Sequence, residues 1–225
     1  EDEAMLARPI LEKLPAQSAP LLLDLATGTG RLGLTLFCQP DFDGRIIALD
    51  ISGKMLQIAS QKLAPFRERV DLLQYLTLPL PFPDDCFDAV CCLEALEVMP
   101  EMETPLSELY RVLRPGGLLV ASRGTEASGR KAKIRSAEDF RQLLQDSGFE
   151  QVEITTWWKY FDRVFAVKPG SAAPVDEHDL FGLLRCKVCG QTHWRENPAY
   201  ATCISCGTTY IRTDDGILAF EVGGA

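Results

Sequence analysis

"LLLDLATGTGRLG", from Leu21 to Gly33, is a short apolar strand that runs into a glycine-rich turn, after which a helical pattern begins. Glycine lets the backbone approach a ligand where a Cβ atom would collide, and the N-terminus of a helix presents free N–H groups. Gly28 and Gly30 stand at the mouth of this helix, and with Gly33 they match the G-x-G-x-x-G spacing, which alone is weak evidence. The stretch predicts a ligand-binding turn at the carboxyl edge of a parallel sheet.

On both sides of this turn, β-rich runs alternate with helical runs as far as about Val167. Such alternation is typical of a parallel sheet covered by helices. Ser52, Thr104 and Ser136 each precede a helical run and are predicted N-caps. The closing "VEITTWWKYFDRVFAVKPG" holds two β-rich runs too close for a crossover helix, so they should pair antiparallel. We therefore predict an α/β fold with a Rossmann-like mixed seven-stranded sheet and an antiparallel terminal hairpin.

Composition and charge narrow the class of protein. The chain has 225 residues, of which 46% are hydrophobic and 24% charged, as in globular domains. Its formal net charge of −9 disfavours tight nonspecific nucleic-acid binding. The one basic stretch, "SRGTEASGRKAKIRS", is interpreted as a solvated or mobile loop in preference to a binding patch. No apolar run approaches the roughly 20 residues of a membrane helix, and the acidic start "EDEAM" lacks a signal-peptide pattern.

Two acidic residues narrow the choice of ligand. Asp50 ends the second strand twenty residues after Gly30, where a carboxylate can accept both ribose hydroxyls of NAD or S-adenosylmethionine. Asp24 lies at the start of the turn, where a carboxylate would crowd a pyrophosphate but suits a cationic amino group. The two acids together favour S-adenosylmethionine over a dinucleotide.

Further motifs carry a family resemblance. "DLATGTG", "ALDIS", "LPFPDDCFDAV", "LEALEVMP", "LYRVLRPGGLLVAS" and "LLQDSGFEQVEI" resemble, in order and spacing, the class I S-adenosylmethionine-dependent methyltransferases, particularly the ubiquinone and menaquinone biosynthesis branch. The resemblance covers about residues 5–167. It implies that Asp24, Gly28 and Gly30 hold the methionine part of the cofactor, Asp50 the ribose and Ile51 the adenine. The full set of implied cofactor-binding residues is Asp24, Ala26, Gly28, Gly30, Asp50, Ile51, Tyr75 and Cys92.

The chain departs from this family at two places. Members usually carry an acid after the third strand for the adenine amino group, whereas "LLQYLTLPLPF" offers Gln74, Tyr75 or a backbone carbonyl. Some relatives bind a divalent metal through an E-x-x-E-H run. Glu94 and Glu97 keep the spacing that places both on one helical face, but Val98 replaces the His, so we do not expect a catalytic metal. Glu94 is the candidate base or orienting group for the acceptor; alternatively, both glutamates cap or solvate a helix start.

The eight cysteines fall into two groups. Cys38, Cys86, Cys91 and Cys92 are scattered in apolar contexts and predict a reducing compartment, hence a cytoplasmic protein. "CKVCG" and "CISCG" are two knuckles separated by thirteen residues, close to the spacing of a four-cysteine zinc ribbon. Two disulfides or a redox pair are the alternatives. The predicted zinc ligands are Cys186, Cys189, Cys203 and Cys206. Because four thiolates complete a tetrahedron, His193 between the knuckles is predicted to be structural.

The C-terminal piece carries a resemblance of its own. "LLRCKVCG…CISCGTTYIRTDDGILAF", about residues 183–220, resembles the Trm112-like family of small zinc-ribbon proteins. That resemblance implies a partner or activator module, since members elsewhere serve methyltransferases that modify tRNA, rRNA or translation factors. The predicted organisation is a methyltransferase domain at 1–167, a linker at 168–181 and a zinc-ribbon domain at 182–225. A piece this short buries little core alone, so structural zinc would supply its folding energy.

These observations leave three functions open. The first is methyl transfer to a small-molecule acceptor, favoured by the acidic charge and by the absence of the Asn-Pro-Pro-aromatic tetrapeptide of nucleobase N-methylases. The second is methylation of RNA or protein, with the ribbon as a recognition or activator module. The third is a noncatalytic protein that binds cofactor and a partner. No membrane span is expected, and the oligomeric state is open.

Overall fold

The computed structural model describes residues 4–14, 19–75, 77–128, 134–171 and 179–220. Half of the predicted linker and the centre of the basic stretch lie outside these residues. No helix in the described ranges combines the length and apolar character needed to cross a membrane. The helices are α1 (Ala4–Lys13), α2 (Arg31–Phe37), α3 (Gly53–Leu63), α4 (Glu103–Val112), α5 (Ala137–Asp146) and α6 (Leu180–Leu183). The strands are β1 (Leu21–Leu25), β2 (Arg45–Asp50), β3 (Val70–Gln74), β4 (Phe87–Cys92), β5 (Leu113–Gly124), β6 (Glu150–Trp158), β7 (Phe161–Val167), β8 (Trp194–Glu196), β9 (Tyr200–Cys203), β10 (Thr209–Arg212) and β11 (Leu218–Ala219).

The first seven strands form the predicted sheet. Their spatial order is β6-β7-β5-β4-β1-β2-β3. The five strands β5, β4, β1, β2 and β3 are parallel to one another. β7 pairs antiparallel with both β5 and β6. The α/β fold with an antiparallel terminal hairpin is therefore confirmed. The carboxyl ends of β1, β2 and β4 meet at one edge, which places the glycine-rich turn there.

The predicted count of seven strands is wrong because the C-terminal segment continues the same sheet. β11 pairs parallel with β3, with Leu218 opposite Leu73, and β10, β9 and β8 follow antiparallel to give eleven strands in the described residues. The backbone N–H of Phe220 extends this pairing by donating to the carbonyl of Gln74 at 2.9 Å. Without β11, β3 would be an edge strand with unpaired backbone groups.

The central strands of the sheet are buried on both faces. Leu22 and Ile46 pack on the face covered by α1, α2 and α3, while the adjacent Leu23 and Ile47 pack on the face covered by α4, α5 and the C-terminal segment. All four residues are at most 2% exposed. Neighbouring strand residues point to opposite faces, so a strand buried on both sides is a continuous apolar run such as "LLLDL".

Two of the three predicted helix caps are confirmed. The Ser52 hydroxyl accepts the Met55 N–H at 3.3 Å, and the Ser136 hydroxyl accepts the Asp139 N–H at 3.0 Å. The prediction for Thr104 is wrong, because α4 already begins at Glu103 and Thr104 lies within its first turn. The Ser52 cap fixes the start of α3 immediately after the end of β2, beside the predicted cofactor site.

Candidate functional site

The glycine-rich turn is held in an unusual backbone conformation between β1 and α2. Ala26, Gly28 and Gly30 have φ angles of +61°, +56° and +72°, all in the left-handed region. The Thr27 N–H between them donates to the Leu49 carbonyl of β2 at 2.9 Å. Alternating left-handed residues fold the chain tightly at the carboxyl edge of the sheet, and a non-glycine residue such as Ala26 adopts this conformation only at some cost.

Gly28 and Gly30 were both predicted to contact the cofactor, yet the space around them differs. A Cβ atom on Gly30 would lie 2.9 Å from Leu63 Cδ1 and 3.1 Å from Ala59 Cβ, so the turn packs directly on α3 there. A Cβ atom on Gly28 would meet nothing within 4 Å. Packing of the protein itself accounts for Gly30, whereas Gly28 borders open space at the mouth of the turn.

This difference gives a paired prediction. We expect Gly30→Ala to lower the free energy of unfolding by roughly 1–3 kcal/mol, because the added methyl overpacks the contact with α3 at a left-handed φ. Gly28→Ala should cost about 1 kcal/mol from its backbone conformation alone. Urea denaturation of both variants checks this order; a Gly28→Ala loss as large as that of Gly30→Ala would show the environments to be equivalent.

Asp50 ties the turn to the end of β2. Its side chain is almost buried, and its two carboxylate oxygens accept the Gly28 N–H and the Ser52 N–H, both at 2.8 Å. A carboxylate has about four lone-pair positions, so these bonds leave capacity for ligand hydroxyls. Asp50 therefore combines a structural role in the turn with the acceptor capacity that a ribose requires.

Asp24 is the second buried acid at this edge. It is 4% exposed, and the Thr27 hydroxyl donates to its Oδ2 at 2.6 Å. Burial raises the pKa of Asp24 to about 7, opposed by the Thr27 hydrogen bond and reinforced by the negative charge of Asp50. A buried carboxyl with a raised pKa gains from a nearby positive charge, such as the amino group predicted for this position.

A largely apolar cavity of about 430 Å³ opens beside the turn. Its walls come from the ends of β1 and β2, the residues after β3, the segment after β4, and the first turn of α4. The lining residues are Leu25, Ala26, Asp50, Ile51, Tyr75, Thr77, Leu78, Leu80, Ala95, Val98, Met99, Pro100, Glu101, Thr104 and Pro105. Ile51 is 65% exposed, which makes it an accessible apolar surface at the rim.

The structure brings four of the eight predicted cofactor residues into this cavity wall: Ala26, Asp50, Ile51 and Tyr75. The others, Asp24, Gly28, Gly30 and Cys92, lie at the same edge of the sheet but do not line the cavity. Cys92 is fully buried, and burial raises the pKa of its thiol well above the ordinary range, so it acts as an apolar group. Sequence reasoning missed the walls contributed by the proline-rich stretch and by α4, because no local pattern shows which loops converge.

The two side chains proposed for the adenine amino group are engaged within the protein. The Gln74 amide donates to the Ile51 carbonyl at 3.2 Å, and the Tyr75 hydroxyl donates to the Pro79 carbonyl at 2.7 Å. Tyr75 thus offers its ring to the cavity while its hydroxyl holds the following loop. Backbone carbonyls remain the third alternative for this contact.

Glu94 and Glu97 do not share a helical face, contrary to the sequence prediction. A short 3₁₀ turn covers only Leu96–Val98, and Glu94 precedes it with a left-handed φ of +55°. The Glu94 carboxylate is partly exposed and lies 3.4 Å from the Arg31 guanidinium, whereas Glu97 is 2% exposed. The chain turns sharply where β4 ends, so the spacing of three residues no longer places the side chains together.

The four predicted metal ligands do come together. The sulfur atoms of Cys186, Cys189, Cys203 and Cys206 all lie within 4.8 Å of one another. Two sulfur pairs that join the knuckles, Cys186–Cys206 and Cys189–Cys203, are each 3.6 Å apart. Tetrahedral zinc with bonds of about 2.3 Å requires sulfur separations of about 3.8 Å, so the arrangement fits that metal. His193 is not a member of this group.

Each knuckle is closed by the glycine that follows it. The Gly190 N–H donates to the Cys186 carbonyl at 2.7 Å, and the Gly207 N–H donates to the Cys203 carbonyl at 2.8 Å. Both glycines have φ above +70°, a conformation that other residues rarely adopt. The backbone alone therefore turns the paired thiols towards one point.

The cysteine segment shares its core with the α/β sheet. The rings of Tyr210 and Phe220 stack with their centroids 4.2 Å apart, and both side chains are fully buried. Phe220 also lies 5.9 Å from the ring of Tyr75, and the Lys187 ammonium sits 5.4 Å above that ring. Tyr75 therefore contacts the ligand cavity and the cysteine segment at once. Sequence reasoning missed this link, although the short apolar run "ILAF", residues 217–220, was its signal.

Comparison with known proteins places this geometry in context. Residues 23–121 match a family model described as a methyltransferase domain. A demethylmenaquinone methyltransferase of Symbiobacterium thermophilum is 36% identical over 159 residues, which are 68% of this chain and 56% of the relative. One of Thermus thermophilus is 42% identical over 110 residues, 49% of this chain and 48% of the relative. The chain spans about half the length of these curated relatives.

Solved structures with the same fold are more distant in sequence. A S-adenosylmethionine-dependent methyltransferase from Aquifex aeolicus aligns with a TM-score of 0.61 at 21% identity, over 72% of this chain and 89% of the other. The [4+2]-cyclase SpnF aligns with a TM-score of 0.63, also at 21% identity, over 75% of this chain and 82% of the other. These structures share the fold.

Together the comparisons support a class I S-adenosylmethionine-dependent methyltransferase domain, and the similarity to the quinone-biosynthesis branch is confirmed. The resemblance of residues 183–220 to the Trm112-like family stays a prediction.

Proposed function

We propose that this protein transfers a methyl group from S-adenosylmethionine to a small-molecule acceptor. The observation that carries the proposal is the apolar cavity at the carboxyl edge of the sheet, where Asp50, Ile51 and Tyr75 meet beside the left-handed glycine turn. The match of residues 23–121 to a methyltransferase domain supports the reaction. The names of the relatives, demethylmenaquinone methyltransferases, favour an apolar ring compound as acceptor.

Each end of the site has residues suited to one part of the cofactor. Asp24 would face the cationic amino group, and Asp50 would accept the ribose hydroxyls while it keeps its two bonds to backbone N–H groups. The exposed Ile51 and the ring of Tyr75 offer apolar surface for adenine. The open space next to Gly28 fits a ligand that passes close to the backbone. In this proposal Ala26 lines the same path.

S-adenosylmethionine supplies a methyl group on a sulfonium, which is already a good leaving group. The protein therefore has to position and desolvate the acceptor, and it needs a base only where the acceptor loses a proton. Glu94 is our candidate for that base, since its carboxylate is partly exposed next to β4. Glu94 pairs with Arg31 and is not among the residues that line the cavity, so this role requires it to exchange partners.

We also propose that Cys186, Cys189, Cys203 and Cys206 hold one structural zinc ion. The convergence of four thiols and the absence of open coordination positions in a four-thiolate site favour a structural over a catalytic metal. Metal binding would order the knuckles and thereby hold β11 against β3.

The acceptor class is tested by transfer of a tritiated methyl group from S-adenosylmethionine to cell extract that is then separated into small-molecule, RNA and protein fractions. We expect the label in the small-molecule fraction, and we expect Asp50→Ala to abolish it. Label in RNA or protein would instead favour a ribbon that recognises a macromolecule. Cofactor binding without any transfer would favour the noncatalytic alternative.

The raised pKa of Asp24 predicts a dependence on pH. Because the folded-state pKa is about 7 and the ordinary value is 3.8, the folded protein binds the proton more tightly, so the Asp24 contribution to stability is lost as pH rises from about 4 to 7. The cationic cofactor would favour the ionised carboxylate, so its affinity should rise over the same range and level off above pH 7. Calorimetric titration of S-adenosylmethionine from pH 5 to 8 checks this; an equal rise in Asp24→Asn would assign the effect to another group.

A further inference from the structure

The residues that follow β3 form an unusual loop. The stretch "LPLPFPDD", residues 78–85 and called the proline loop below, has proline at every second position from 79 to 83, so it lacks three backbone N–H donors. Such a segment cannot satisfy its own carbonyl groups with regular hydrogen bonds. Leu78 and Leu80 of this loop nevertheless form one wall of the ligand cavity. Its shape must come from donors elsewhere in the protein.

Five consecutive carbonyl groups of the loop, those of residues 79–83, accept hydrogen bonds from donors outside the loop. The donor–acceptor pairs are the Tyr75 hydroxyl to Pro79, the Arg111 guanidinium to Leu80, the Arg185 N–H to Pro81, the Arg111 guanidinium again to Phe82, and the Cys86 thiol to Pro83. Arg111 is the donor that appears twice. Its planar fork spans alternate carbonyls of the loop, which one ammonium group could not do.

Arg111 is itself oriented from its own helix. Glu108, one turn earlier on α4, accepts from Arg111 Nε at 2.9 Å and from Nη2 at 2.8 Å, and its Oε2 also accepts the Leu80 N–H at 2.7 Å. Burial opposes ionisation of Glu108, but the bonds from Arg111 and Leu80 outweigh it and hold its pKa below the ordinary value. Together Glu108 and Arg111 bind the loop through N–H and carbonyl groups.

Helix α4 takes part in the cavity twice. Thr104 and Pro105 in its first turn line the cavity directly, and Glu108 and Arg111 in its later turns hold the proline loop, which contributes another wall. One rigid helix therefore sets the distance between two walls of the cavity. Neither Glu108 nor Arg111 lines the cavity.

We propose that Arg111, oriented by Glu108, is a positioning residue that fixes the width of the ligand cavity and thereby the affinity for the cofactor. The inference rests on the proposed function, since it takes the cavity to hold part of S-adenosylmethionine or its product. Arg111 acts through the proline loop, where its guanidinium donates to the carbonyls of Leu80 and Phe82 and to the carboxylate of Asp84.

The test is calorimetric binding of S-adenosylhomocysteine to the full chain, at a temperature where every variant is more than nine-tenths folded. Arg111→Lys keeps the charge but loses the fork, and we expect its dissociation constant to rise at least about tenfold. The matched control is Arg45→Lys. The Arg45 side chain is 27% exposed and that of Arg111 is 25% exposed, and Arg45 likewise donates to a carbonyl and to a carboxylate. Arg45 lies at the amino end of β2, away from the cavity. We expect the control to bind as the wild type does.

Unchanged affinity in Arg111→Lys would overturn the inference and leave the proposed function standing. An equal loss of affinity in Arg45→Lys would also overturn it, because the loss would then reflect a general destabilisation of the fold. No binding by the wild type would overturn the proposed function itself. If Arg111→Lys does not fold, Glu108→Gln decides, because it keeps the side-chain shape and one acceptor oxygen while it weakens the orientation of Arg111. A rise of several-fold in its dissociation constant supports the inference, and wild-type affinity overturns it.

Discussion

Purified wild-type protein should contain one zinc ion per chain by elemental analysis, and Cys186→Ser combined with Cys203→Ser should contain none. The variant removes one thiolate from each knuckle, so neither knuckle can complete a four-thiolate site. Zinc in such sites contributes about 10–16 kcal/mol to folding, far more than the small core of this segment can replace. We therefore expect the C-terminal segment to unfold in the variant and β11 to separate from β3.

The control is Cys38→Ser combined with Cys86→Ser, which changes two cysteines outside the group, one exposed and one buried. This control should keep the full zinc content. Limited proteolysis should cut the C-terminal segment in the first variant and spare it in the control. A natively folded wild-type protein without metal, or a double variant that retains it, would refute the zinc proposal.

Asp50→Ala should weaken the binding of S-adenosylmethionine, which we expect to be micromolar in the wild type, by at least about a hundredfold, or about 2.7 kcal/mol. Two losses combine in this variant. The ligand would lose its acceptor for the ribose hydroxyls, and the N–H groups of Gly28 and Ser52 would lose the carboxylate that holds the turn to β2. Calorimetric titration measures the change directly.

Two further variants separate these contributions. Asp50→Asn keeps the shape and one acceptor oxygen but turns an amide NH₂ towards a backbone N–H, so its affinity should lie between those of Asp50→Ala and the wild type. Asp71→Ala removes a part-buried carboxylate of β3 that pairs with Arg45, away from the cavity, and should leave affinity unchanged. Wild-type affinity in Asp50→Ala would remove this residue from the site.

Sequence reasoning succeeded where the signal is local. "LLLDL" is buried on both faces as its continuous apolar pattern predicts, and the hydroxyl of Ser52 caps α3 as its position predicts. Each C-x-x-C-Gly knuckle forms its turn from five consecutive residues, and the four predicted thiols lie together. Reasoning failed at Glu94, where a left-handed residue at the end of β4 interrupts the helical spacing that the sequence suggested.

The amino-acid pattern was thus sufficient for the order of strands and helices up to Val167, the glycine turn with Asp24 and Asp50, and the four cysteines, because short-range periodicity and backbone conformation set each of these. Three features emerged only with the tertiary structure. They are the attachment of the cysteine segment to β3, the contact of Tyr75 with both the cavity and Phe220, and the support of the proline loop by Arg111. Each of these contacts joins residues about thirty or more positions apart in the sequence. Such contacts depend on which sheet edge or carbonyl group still lacks a hydrogen-bond partner and lies nearby after folding.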